Sequence, residues 1–69
     1  MEVTWQDGFL IRVNTENGTV VVSANKEGLL SLAGIMKTLA EKEAGSHIHL
    51  NEYNSLEENS AELIIEKLN

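Results

Sequence analysis

His47 and His49 are the two histidines of the chain, and they stand two residues apart in the run Ser46-His47-Ile48-His49-Leu50-Asn51. On a strand, side chains at i and i+2 share a face. This spacing therefore sets the imidazoles side by side and sends Ile48 and Leu50 the other way, into a core. Two neutral imidazoles can ligate a metal, with Glu62 or Glu66 on a neighbouring strand as a third donor. His49 with Glu52 or Glu62 could instead serve as an acid–base pair. Both chemistries need more than the sequence supplies. The chain has no cysteine, one arginine (Arg12), no glycine-rich phosphate loop and no nucleophile motif. A domain with a single helix also leaves little volume for a pocket. The expectation is a binding protein without catalysis, cofactor or metal; a small metal-binding protein using both histidines is an alternative.

The elements that must position the histidines follow from local pattern. Residues 9–14 and 19–23 are rich in β-branched and apolar side chains, and Asn17-Gly18 lies between them. An Asn-Gly pair flanked by such runs predicts an antiparallel hairpin, because both residues tolerate positive φ. Residues 3–5 predict a further short strand, with Asp7-Gly8 as a turn. Asn25 suits a helix N-cap. From there Leu29, Leu32, Ala33, Met36, Leu39 and Ala40 form an apolar stripe, flanked by Leu30 and Ile35, with Glu27, Ser31, Thr38 and Glu41 opposite. The helix is expected over about 26–44, ended by Gly45.

Beyond the histidine strand lies a polar loop, 52–60, and a final strand within 61–68 whose Leu63 and Ile65 face the helix. The order is β-β-α-β-β, an α+β fold. One helix packs on an antiparallel-rich sheet of four or five strands, in two layers, over a single domain, 1–69. A lone helix covers one sheet face, so Leu10, Val21 and Ile64 are expected on the uncovered one, a natural docking surface.

At 69 residues with 42% hydrophobic content, the chain holds a packed but thin core. Without disulfides, association with another chain is the expected reinforcement, either a homodimer or a distinct partner. Eleven acids against five bases give a formal charge of −6. That surface repels nucleic acid and anionic membranes and suits a basic protein. The start, Met1-Glu2-Val3-Thr4-Trp5, does not read as a signal peptide, and no apolar run is long enough to span a bilayer, so the cytoplasm is the expected location. Among the aromatic residues, Phe9 is expected in the core, while Trp5 and Tyr53 close core edges or anchor an interface. Glu52, Glu57 and Glu58 make the Tyr53 loop the most negative exposed segment.

The run Asn25-Lys26-Glu27-Gly28-Leu29-Leu30-Ser31-Leu32-Ala33, followed by His47-Ile48-His49-Leu50 and Ser60-Ala61-Glu62-Leu63-Ile64-Ile65, resembles the immunity protein 32 family. The resemblance covers about residues 25–66. That family comprises small α+β proteins of bacterial polymorphic toxin systems, marked by a characteristic histidine. The family histidine falls on His47 or His49, with His49 preferred. The resemblance implies inhibition of a cognate toxin by direct contact. The acidic surface and the lack of catalytic equipment suit that role. The expected partner-binding residues are His47, His49, Asn51, Tyr53, Glu57 and Glu58. A homodimeric interaction module is the runner-up.

Overall fold

The computed structural model describes residues 2–69, so Met1 of the N-terminal segment lies outside it. The described residues form β1 (Ile11–Glu16), β2 (Thr19–Ala24), α1 (Lys26–Ala40), β3 (His47–Leu50) and β4 (Leu63–Glu66). Asn17 and Gly18 take φ of 51° and 82°, a two-residue loop of the type I′ kind whose twist matches the flanking strands. β1 and β2 pair antiparallel, with Ile11 opposite Ala24 and Val13 opposite Val22. None of the described helices is long and apolar enough to cross a membrane.

The expected single sheet is instead two ribbons, β1–β2 and β3–β4, both antiparallel. The reason lies on the outer edge of β1. Glu57 and Ala61 donate their amides to the carbonyls of Ile11 (2.9 Å) and Val13 (2.8 Å), and the Val13 amide donates to Ser60 Oγ (3.2 Å). Between them the chain turns, closed by Ser60 N–H to Glu57 O at 3.1 Å, with Asn59 at φ 71°. A turn cannot sustain a ladder, and β4 begins only beyond it.

The N-terminal segment 3–5 is not a strand. Val3 and Trp5 pack against the core, Trp5 stacks on Phe9 with centroids 4.6 Å apart, and the Gln6 amide donates to Ser31 Oγ at 2.9 Å. Side-chain packing holds this segment where strand pairing was expected. The Asp7-Gly8 turn does form, closed by Phe9 N–H to Gln6 O at 3.1 Å.

Asn25 does more than cap. Its Oδ1 accepts from the amides of Gly28 (2.8 Å) and Leu10 (2.9 Å), and its Nδ2 donates to Gly8 O (2.9 Å). One side chain thus satisfies an early helical donor and ties the approach to β1. Asn25→Ala is expected to cost about 1–2 kcal/mol. Asn25→Asp, which keeps the two acceptor roles and loses only the donor to Gly8, should cost less. Urea denaturation of both variants checks the order.

The helix ends at Ala40, four residues earlier than expected. The Glu41 and Lys42 amides fold back onto Thr38 and Leu39 carbonyls, and Lys67 Nζ donates to the carbonyls of Ala40 (2.8 Å) and Lys42 (2.7 Å). An ammonium at the negative end of the helix replaces the bonds that further turns would have made. Gly45, at φ 89°, serves the turn into β3 instead of the cap.

The core comprises Ile11, Val13, Leu32, Ile35, Leu39, Leu50 and Leu56. The buried face of α1 is Gly28, Ser31, Leu32, Ile35 and Leu39. That corrects the expected stripe: Leu29 and Met36 are exposed, while Ser31 and Ile35 turn inward. Gly28 explains the roll, because it lies directly on the Leu10 carbonyl, where any side chain would collide. Ser31 tolerates burial because its hydroxyl donates to Glu27 O (2.8 Å) and accepts from Gln6. Leu10, Val21 and Ile64 are all about half exposed. Leu10 and Val21 share the outer side of the β1–β2 ribbon, whereas Ile64 belongs to the separate β3–β4 ribbon, so the three do not lie on one continuous sheet face.

Candidate partner-binding face

β3 alternates as expected. Leu50 is buried and Ile48 half-buried, while His47 and His49 are exposed. The imidazole centroids lie 5.1 Å apart at 68°, an edge-to-face arrangement. His47 stands opposite Glu66 on β4 and His49 opposite Ile64. Leu63 and Ile65 pack towards the core, which leaves Glu62, Ile64 and Glu66 on the histidine side of the ribbon.

Both imidazoles are tied through Nδ1. His47 Nδ1–H donates to Gly45 O at 3.0 Å and His49 Nδ1–H to Glu62 Oε2 at 3.3 Å. These acceptors select the Nδ1-protonated form and leave each Nε2 without one of these contacts. The His49–Glu62 pair is half exposed on both sides, so water competes for it. His49→Gln is expected to change stability by no more than about 0.5 kcal/mol, read from a thermal melt. Among the described residues, no group of three or more His, Asp or Glu is arranged to hold a metal ion. Glu62 is within reach of His49; Glu52 is not its partner but accepts from the Asn59 amide at 2.8 Å.

The loop after β3 is ordered by its own polar side chains. Asn51 O accepts from the amides of Asn54, Ser55 and Leu56, and Asn51 Oδ1 from Tyr53 N–H at 2.9 Å. Asn54 Oδ1 accepts from the Asn51 amide, while its Nδ2 reaches back to His49 O at 3.0 Å. Such side-chain-to-backbone bonds replace the regular ladder that a loop lacks. Leu56 anchors the loop from below, buried in the core. A single apolar residue in a polar stretch is the sequence signal for that anchor. Above it, Tyr53 projects with 90% of its surface exposed.

Of the six expected contact residues, His47 and His49 stand together, and Tyr53 lies on the following loop, its amide held by Asn51 while Asn54 bonds the His49 carbonyl. Asn51 spends its side chain on the turn. Glu58 is exposed, whereas Glu57 is half-buried and lines a hollow of about 270 Å³ with Leu10, Arg12 and Ser23. Glu57 thus lies against β1. Residues 41–69 carry seven acids and two lysines, and Lys67 is already engaged with helix carbonyls.

No curated relative and no solved structure matches the chain. The family model described as Immunity protein 32 matches residues 19–68, from the start of β2 to just past β4. That span includes α1, the histidine strand and the Tyr53 loop, and the chain belongs to this immunity protein family, whose general role is the neutralisation of a toxin.

Proposed function

We propose that the chain neutralises a basic bacterial toxin in the cytoplasm of the producing cell, by direct contact and without catalysis. The observation that carries this reading is Tyr53, an almost fully exposed aromatic on a loop that its own hydrogen bonds hold in shape. A large, ordered aromatic gains most by entering a partner's pocket, the habit of an interface anchor. Around it, the acid-rich half of the chain favours a basic partner through long-range attraction. Family membership supports a toxin as that partner. In this reading His47, His49, Tyr53 and Glu58 make the contact, Glu57 lies at its rim, and Asn51 shapes the loop.

The test is protection of growth. The toxin of the same immunity locus is expressed in a bacterial host with or without this chain. Rescue by the wild type and loss of rescue with Tyr53→Ala plus Glu58→Lys are the expected results. Equal rescue by both would overturn the placement of the face, and no rescue by the wild type would overturn the function.

A further inference from the structure

β2 is an edge strand, and it is unusually bare. Among the described residues it pairs only with β1. Its sequence, Thr19-Val20-Val21-Val22-Ser23-Ala24, holds no charge and no proline, the devices that commonly blunt an edge. Val20, Val21 and Val22 are 58%, 44% and 40% exposed. In the antiparallel ladder, bonded pairs alternate. Glu16 and Thr19 flank the two-residue loop, and the Asn25 amide donates to Leu10 O at 3.1 Å. Thr19, Val21 and Ser23 therefore bond inward to β1. The amides and carbonyls of Val20 and Val22 point out from the free edge.

Beside that edge the helix presents a second apolar strip. Leu29, Ala33 and Met36 recur at i, i+4 and i+7, on the flank that the roll of α1 leaves exposed. They line a groove of about 320 Å³ with Val22, Leu32 and Leu63. Edge and strip together form one surface, since the side chains of Val20 and Val22 share the helix-facing side of the ribbon with Val13.

We infer that this surface pairs with a second copy of the chain. Charge selects that occupant. Residues 10–40 carry three bases and two acids, a net of +1, whereas the rest of the molecule carries nine acids and two lysines, a net of −7. Two copies meeting edge to edge bring together their near-neutral parts and keep their acidic halves apart. A basic partner gains nothing electrostatic at this surface. The geometry is also self-complementary, as an isologous two-fold contact requires. With the axis midway between Val21 and its counterpart and perpendicular to the ribbon, Val20 bonds Val22 of the second copy and Val22 bonds its Val20. The result is a continuous four-stranded antiparallel sheet with both helices on one face. Leu29 and Met36 then meet their counterparts across the axis. This is a different surface from Leu10 and Ile64, and it leaves the histidine face and Tyr53 free.

Sedimentation equilibrium of the full chain, from roughly 1 μM to roughly 1 mM, tests the pairing. The wild type should follow a monomer–dimer equilibrium. Val20→Lys and Met36→Lys, on different elements, should each weaken it at least ~10-fold without changing the circular dichroism, and Ile64→Lys should leave it intact. Should Val20→Lys fail to fold, Met36→Lys on the helix surface decides alone. A monomer throughout the range, variants that associate like the wild type, or dissociation by Ile64→Lys would overturn the inference. So would a monomeric chain that instead captures a strand of another protein on this edge. The inference is separate from toxin neutralisation: a monomer that still protects growth overturns only the dimer.

Discussion

Gly28→Ala and Gly34→Ala, the same substitution six residues apart on α1, are expected to move stability in opposite directions. A β-carbon at Gly34 meets nothing within 4 Å. There alanine simply lowers the backbone freedom of the unfolded chain and improves helix propensity, a gain of about 0.5–1 kcal/mol. At Gly28 the β-carbon would run into the Leu10 carbonyl oxygen and stand 2.9 Å from Ile11 Cγ1. That carbonyl is main chain and already accepts from the Asn25 amide, so it cannot swing aside as a flexible side chain would. Overpacking of this kind costs roughly 1–3 kcal/mol or more and outweighs the propensity gain, leaving a net loss of about 2 kcal/mol. In a domain this small the melting temperature should fall by roughly 10 °C for Gly28→Ala and rise by about 5 °C for Gly34→Ala. Scanning calorimetry of the two variants reads the difference directly. A stable Gly28→Ala variant would mean that α1 does not sit against the β1 approach.

The second large effect is expected in toxin binding. Tyr53→Ala combined with Glu57→Lys and Glu58→Lys should weaken affinity by about 100-fold or more, from loss of one aromatic anchor and reversal of two charges. The fold should survive. The Tyr53 ring is almost fully exposed, and Glu57 supports β1 through its main-chain amide, which the substitution keeps. The two components separate by rate. Charge reversal slows association and flattens its salt dependence, while loss of the ring speeds dissociation. Surface plasmon resonance at two salt concentrations resolves them. Unchanged affinity would move the contact away from this loop.

Much of the local structure was legible because it is dictated locally. Asn17-Gly18 specifies the hairpin, Asn25 opens the helix, and the alternation His47-Ile48-His49-Leu50 fixes which side chains face the core. The family was legible too, from short runs in α1, β3 and β4. What stayed hidden depends on contacts between distant residues. Periodicity gives α1 a broad apolar stripe but cannot say which part touches the sheet. Gly28 decides that, by meeting a carbonyl eighteen positions earlier. Ser31 looked like solvent-facing polarity because sequence does not display its bonds to Glu27 and Gln6. The split into two ribbons follows from the turn at 57–60, whose register against β1 no local pattern encodes. At the candidate site the paired imidazoles follow from the residues, while the near-complete exposure of Tyr53 and the use of Asn51 inside the turn do not. That β2 lies at a free edge is not legible either, because it depends on where distant segments pair with β1.

If Tyr53 anchors the proposed complex, the loop beneath it also bears on how long that complex lasts. Asn51, Asn54 and Glu52 fix its shape before any partner arrives, and Leu56 pins it to the core. The entropy of ordering that segment is then spent when the chain folds, and association has little left to freeze beyond the tyrosine ring itself. Docking becomes a near rigid-body event. Differences among related toxins would accordingly be felt in residence time, with capture rates staying close to one another, a useful property for a protein that must hold its target before the target acts.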